Sequence, residues 1–312
     1  MKRYPLHKDF SKYSLMYPPI NKATLPFARF VQNLLPKNIS SDSAVTITKV
    51  SIPVNTSVSI PALLYTPTDI DANAPCLIYY HGGGFVLEAA PCHYTLARKY
   101  AIQASCKVLF VAYRLAPKYP YPIPAEDCFA ALKWVIKNAT KLDIDQNRIV
   151  VGGDSAGGNL AASVTLMARE KLNIQLCGQM LIYPAIDRRM ETDSMKKFTD
   201  TPVWNSKLTK KIWKYYLPEI PSEHIEFASP IEADSLKDLP DAYIETAEFD
   251  CLHDEAVHYA AALKKAGVNV SLYHTHGTMH GFDIALNSKI VRRSIKNRVL
   301  YLKKFFSYSV LM

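Results

Sequence analysis

Ser155 stands in Gly153-Asp154-Ser155-Ala156-Gly157, behind the apolar β-branched run Ile149-Val150-Val151 and ahead of a helical stretch. A serine hydroxyl attacks a carbonyl carbon only if its Oγ is held clear of the backbone and a base takes its proton. A G-x-S-x-G turn between strand and helix meets the first need. Gly153 and Gly157 fall where a Cβ would collide as the two backbones close on each other. A glycine-rich turn of this kind can also hold a phosphate. Here Asn159 and Leu160 follow where a P-loop would place Lys and Ser or Thr, and the chain has no G-x-G-x-x-G.

A developing alkoxide needs hydrogen-bond donors, and His81-Gly82-Gly83-Gly84-Phe85 follows the apolar run Cys76 to Tyr80. Three consecutive glycines let backbone N–H groups point into one cavity unshielded by side chains. Glycine numbers only 11 in 312 residues, so three in one run at a strand end argue against a merely flexible turn. His81 itself reads as structural, or as shaping this loop.

The base and its orienting acid are sought downstream. Strand-like Ala242 to Thr246 runs into Asp250-Cys251-Leu252-His253-Asp254, and a second strand, Val268 to Tyr273, runs toward His274, His276 and His280-Gly281-Phe282. Asp250 lies just past its strand, where a carboxylate can reach an imidazole from the next loop. Asp254 opens a helical run, 254 to 265, and suits the positive helix N-terminus instead. His274 and His276 share one face of an extended strand, which raises a metal pair, but no Cys or His cluster elsewhere has matching spacing. His280, beyond the strand, is the better base. Ser155, Asp250 and His280 are thus the expected catalytic residues, with no metal and no cofactor.

These motifs resemble the hormone-sensitive-lipase-like group of α/β-hydrolases, which includes bacterial family IV carboxylesterases and arylacetamide deacetylase-like enzymes. The resemblance spans about residues 60 to 306. It rests on His81 to Phe85, Tyr113 to Pro117 with Pro124 to Asp127, Gly153 to Gly158, Asp250-x-Leu252-x-Asp254 and His280-Gly281-Phe282. It implies Ser155 as nucleophile with Asp250 and His280 as partners, and an oxyanion hole from the N–H groups of Gly83, Gly84 and Ala156. It further implies hydrolysis of short- to medium-chain acyl esters through an acyl-enzyme. Cys251 stands where the group usually has Pro and Lys118 where it usually has Glu, which bears on loop geometry and substrate preference. An amidase or deacetylase with the same triad is the nearest alternative. A non-catalytic receptor on this fold would be expected to lack a triad member, and an epoxide hydrolase would carry Asp at the elbow.

The elements that must position these residues alternate. Stretches 46 to 54 and 58 to 66 predict an antiparallel hairpin around Asn55-Thr56-Ser57. Strands at 75 to 80, 107 to 113, 148 to 152 and 179 to 183 then alternate with helices at 125 to 138 and 158 to 171. This pattern predicts one α/β domain over residues 1–312, with a mostly parallel central sheet, helices on both faces and ligands at the carboxyl ends of the strands. Two segments stand outside the alternation and are expected to form a cap. They are about 1–45, with a helix from Pro26 to Leu35, and about 186–240, which holds Trp204 and Trp213.

A formal charge of +9 raises nucleic acid or anionic membrane as partners, so its placement decides. Much of it lies in Lys289 to Lys304, where Val291, Ile295, Val299, Leu302 and Phe306 repeat at helical spacing. That is a docked helix whose basic residues face solvent. More lies in Lys196 to Lys214, read as serving solubility. The expected partner is a small-molecule ester, without nucleic acid or stable membrane insertion, and a homodimer is left open. Lys8, Asp9 and Lys12 interrupt any signal-peptide core, and no apolar run spans a membrane, so the N-x-S/T sequons at Asn38, Asn55, Asn138 and Asn269 read as chance. Six dispersed cysteines read as reduced thiols of a cytoplasmic protein, with Cys251 open to a reactive role beside Asp250.

Overall fold

The computed structural model describes residues 4–307, so positions 1–3 and 308–312 of the expected domain and cap lie outside the described residues. The strands are β1 (Val45–Pro53), β2 (Ser59–Pro67), β3 (Ala74–Tyr80), β4 (Lys107–Val111), β5 (Ile144–Asp154), β6 (Gly178–Ile182), β7 (Ala242–Phe249) and β8 (Val270–Met279). They form one sheet in the order β1-β2-β4-β3-β5-β6-β7-β8. The expected hairpin is β1 and β2, paired antiparallel from Val45 opposite Pro67 to Pro53 opposite Ser59. β2 is also antiparallel to β4, and from β4 to β8 every neighbouring pair is parallel.

The helices are α1 (Leu25–Leu34), α2 (Pro91–Ala104), α3 (Ile123–Lys137), α4 (Ala139–Leu142), α5 (Ala156–Met167), α6 (Asp193–Lys197), α7 (Ser206–Tyr216), α8 (His253–Lys265) and α9 (Lys289–Ser307). Alternate residues of β3 show why the central strands read as unbroken apolar runs. Cys76, Ile78 and Tyr80 enter the core shared with α3, α5 and α8, while Leu77 and Tyr79 enter the one shared with α2 and α9. A parallel strand covered on both faces has no polar side to show.

β8 continues to Met279 instead of stopping near Tyr273, so His274 and His276 lie inside the strand. The chain bends at Gly277, whose φ of +67° is left-handed, and the register with β7 slips between Ala247 and Phe249. The two segments outside the alternation meet each other. Val203 N–H donates to Met16 O at 2.6 Å, Tyr17 OH to Asp200 O at 3.3 Å, and Lys211 Nζ to Ile20 O at 3.0 Å.

α9 docks through Val291, Ile295, Val299, Leu302 and Phe306, as its spacing predicts. Arg298 corrects the expectation that its basic residues all face solvent. It is fully buried, three residues after Ile295 and four before Leu302, and so sits on the apolar stripe. Its guanidinium bonds Glu245 of β7 at 2.6 Å and Asp283, just past β8, at 2.9 Å. Those two buried carboxylates are what a cation at this position satisfies. Breaking a buried pair from one side leaves uncompensated charge, so Arg298→Ala should lose about 3–5 kcal/mol of stability. Urea denaturation of the purified variant checks this; an unchanged midpoint would mean that the carboxylates are neutralised another way.

Candidate active site

Because β5, β7 and β8 run parallel, their carboxyl ends open on one edge of the sheet, and each expected catalytic residue is the first one past its strand. β5 ends at Asp154, β7 at Phe249 and β8 at Met279; Ser155, Asp250 and His280 follow directly. Ser155 Oγ lies 2.8 Å from His280 Nε2, and His280 Nδ1 lies 2.7 Å from Asp250 Oδ2. A carboxylate only accepts, so Nδ1 carries the proton and Nε2 presents a lone pair to the serine hydroxyl. Asp250 is fixed in turn by Leu252 N–H on Oδ1 at 2.9 Å and is wholly buried; Ser155 and His280 are 5% and 4% exposed. The rings of Tyr183 and Trp204 lie 4.9 and 5.7 Å from the imidazole and hold its orientation.

Ser155 has φ 56° and ψ −118°, a conformation that costs an L-residue of order 1–3 kcal/mol and persists only where its surroundings enforce it. Its N–H donates to Ile182 O at 2.8 Å. A Cβ on Gly157 would run into the Tyr80 carbonyl, and one on Gly153 into both Tyr80 and Gly157, so strand and helix cross here backbone to backbone.

The glycine loop approaches from β3. Gly83 and Gly84 have φ of +114° and +61°, and a Cβ on Gly84 would strike the Trp204 ring. Among the described residues neither N–H meets an acceptor, and Ala156 N–H is in the first turn of α5, where helix donors have no intrahelical partner. His81 does shape this loop. Its ring stacks on Tyr113 at 4.6 Å, its Nδ1 lies 2.7 Å from Gly82 O, and Tyr113 OH donates to His81 O at 2.7 Å. Burial, with His93 nearby, brings its pKa down to about 4, so the ring is neutral at working pH.

Sequence reasoning passed over Asp154 and His93. Asp154 accepts Tyr79 OH at 2.8 Å and Gly82 N–H at 3.1 Å on Oδ1, and faces His93 Nε2 at 3.1 Å on Oδ2. It thereby ties the nucleophile turn to the glycine loop. The signal was present, since a carboxylate at the end of a buried strand needs partners; the identity of those partners was not. Burial pushes the Asp154 carboxyl up, but the charge and hydrogen bond of His93 and the Tyr79 hydroxyl outweigh it and bring it down to about 2. Burial pushes His93 down and the Asp154 charge more than offsets it. In the neutral ring the Ala90 N–H on His93 Nδ1 at 2.9 Å selects the tautomer with its proton on Nε2, toward Asp154.

The other candidates are placed elsewhere. Asp254 accepts Ser194 N–H at 2.7 Å and lies beside His253 Nδ1 at 2.9 Å, at the start of α8. His274 Nδ1 is 2.8 Å from Thr246 Oγ1, and His276 is exposed beside Glu248, so the two histidines serve different neighbours. Cys251 is fully buried and its thiol is pushed up by burial and by the Asp250 charge, which leaves no thiolate to react. A cavity of about 490 Å³ reaches Ser155 and His280; Met16, Ile20, Phe27, Val31, Leu87 and Trp204 are among its apolar lining. On the other side of Ser155, toward Ile212, Trp213 and Leu252, only about 10 Å³ is left.

A depressed carboxylate adds stability above its unfolded pKa of about 3.9, and loses that contribution as pH falls toward its folded value. Asp154→Asn should therefore cost about 2 kcal/mol at pH 7. In paired thermal melts its gap from the wild type should close between pH 4 and about 2; a gap that stayed constant would deny that the charge matters.

Comparison with known proteins agrees with this geometry. A family model described as alpha/beta hydrolase fold matches residues 77–284. Carboxylesterase NlhH of Mycobacterium tuberculosis is 38% identical over 227 residues, 72% of this chain and 71% of its own. Among solved structures, a bacterial heroin esterase superposes with a TM-score of 0.88 at 33% identity, covering 97% of this chain and 99% of that one. Esterase LipW from Mycobacterium marinum gives 0.89 at 27% identity, covering 97% of both chains. On a family match that takes in every site residue, the strand order and a close relative, the chain belongs to the hormone-sensitive-lipase-like family of the α/β-hydrolase fold.

Proposed function

We propose that this carboxylic ester hydrolase is a serine esterase acting on short- to medium-chain acyl esters through an acyl-enzyme on Ser155. The observation that carries the reading is the unbroken relay Ser155–His280–Asp250, at 2.8 and 2.7 Å, facing the glycine loop. His280 Nε2 takes the Ser155 proton as Oγ attacks the ester carbonyl. Asp250 holds the tautomer and stabilises the imidazolium, and the N–H groups of Gly83, Gly84 and Ala156 bind the oxyanion. The imidazolium then protonates the leaving alcohol, which departs. A water deprotonated by the same ring attacks the acyl carbon, and the imidazolium returns that proton to Ser155 Oγ as the C–Oγ bond breaks and the carboxylic acid departs.

The segments 4–45 and 186–240 act in this reading as a cap, supported by Met16, Phe27, Val31 and Trp204 lining the cavity that reaches Ser155. The chain's dispersed and mostly buried thiols fit a reducing compartment, the cytoplasm.

Ser155→Ala should lose several orders of magnitude in kcat in a folded protein, on the order of a million-fold in comparable triads. His280→Ala and Asp250→Asn should both be strongly impaired, with His276→Ala and Asp254→Asn far less so. Steady-state hydrolysis of p-nitrophenyl butyrate checks the set, and an active Ser155→Ala free of contaminating esterase would remove the serine from the mechanism.

Acyl length tests the cavity. Each added methylene contributes about 0.8 kcal/mol only while apolar surface remains to receive it. With about 490 Å³ on one side of Ser155 and about 10 Å³ on the other, kcat/KM should rise from acetyl to butyryl or hexanoyl esters and then fall. A rate still climbing at dodecanoyl would rule out a finite pocket.

A further inference from the structure

Helix α1 is docked the wrong way round for a soluble surface helix. Arg29 donates to Val86 O at 2.7 Å and to Ala116 O at 2.6 Å, Gln32 donates to Glu88 O at 3.2 Å, and Leu25 is buried. Positions 25, 29 and 32 form the stripe that meets the body. The opposite stripe, at helical spacing, is Phe27, Phe30, Val31 and Leu34, and it is exposed: 69%, 60%, 39% and 68%. Leu15, Met16, Tyr17 and Leu35 are exposed in the same segment, so eight of the eleven exposed large apolar side chains among the described residues fall between positions 15 and 35.

Charge in this segment has one sign. From residue 10 to 41 the chain carries Lys12, Lys22, Arg29 and Lys37 and no Asp or Glu. Lys12 and Lys22 are exposed, and Lys211 comes in from α7 to the Ile20 carbonyl at 3.0 Å. Glu88 lies beside Arg29, on the side of α1 that meets the body; an apolar stripe whose own segment carries cations and no carboxylate has the composition that lies in the plane of an anionic lipid surface. The stripe is also continuous with the cavity at Ser155, because Met16, Phe27 and Val31 belong to both.

We propose that the segment from Leu15 to Leu35 docks the protein on an anionic lipid bilayer, with Phe30, Leu34 and Leu35 seated among the acyl chains and the cavity mouth turned toward the membrane. Ester substrates of medium chain length, which partition into such a surface, would enter from it directly. Only this last consequence rests on the esterase reading; docking is measured without turnover.

Flotation of the full chain with vesicles of phosphatidylglycerol and phosphatidylcholine, against phosphatidylcholine alone, is the test. Binding to the anionic vesicles, reduced by 0.5 M salt and retained by Ser155→Ala, is expected. Phe30→Ser with Leu34→Ser removes two side chains whose burial is worth on the order of tenfold or more each, so partitioning should drop by at least that much. Neither residue lines the cavity, so hydrolysis of dissolved p-nitrophenyl acetate by this variant should stay at the wild-type rate, which also certifies its fold. Absent binding, or equal binding to both vesicles, overturns the proposal. So does a wild-type dimer that this variant converts to monomer while its vesicle binding is unchanged, since the stripe would then belong to a second copy of the chain.

Discussion

Everything at this site depends on how closely two backbones approach beneath Ser155. Gly153 and Gly157 bring the end of β5 and the start of α5 against the Tyr80 carbonyl with no side chain between them. That contact holds Ser155 at a positive φ and lifts its Oγ out of the sheet edge. It also fixes the end of β3, from which the glycine loop departs, relative to Ser155. Ser155 and the glycine loop are therefore placed by one packing event, and a methyl group at either glycine would separate them.

Around this contact the protein keeps its charges buried and paired. Asp154 links the nucleophile turn to the glycine loop through Gly82 and His93. Arg298 links β7 to the segment beyond β8 through Glu245 and Asp283, and Asp283 accepts the hydroxyl of Tyr183 at 2.7 Å, whose ring borders His280. Buried ion pairs add little net stability over well-packed apolar groups, yet each fixes a geometry that is costly to leave. Here they tie together the strand ends from which Ser155, Asp250 and His280 extend. A site whose groups must meet within a few tenths of an ångström gains from such ties more than the fold does.

The N-terminal segment follows a different logic. Arg29 and Gln32 of α1 are used up on backbone carbonyls of the body, which leaves its apolar side chains facing out. An arrangement that exposes Phe and Leu beside an active-site cavity is unfavourable in water and becomes favourable only when something apolar arrives.

The sequence by itself determined the strands of the sheet and the placing of Ser155, Asp250 and His280 directly after three of them, because both are local facts. Strand runs show as β-branched stretches, and in a parallel α/β fold the reactive residues come directly after the strand ends. Asp250 could be told from Asp254, and His280 from His276, by position relative to those ends. The same local reading placed α3, α5, α8 and α9 to within a few residues and did not mark α2. Tertiary structure decided whatever depends on which distant residue fills a space. Arg298 looked like one more lysine-like surface charge until Glu245 and Asp283, separated from it along the chain, were found against it. Asp154 looked like a spacer in a motif until His93 and Gly82 arrived from α2 and the loop after β3. For α1, periodicity gives the angle between its apolar and polar faces and not which of them meets the protein. Long-range pairing sets that choice, and no local pattern records it.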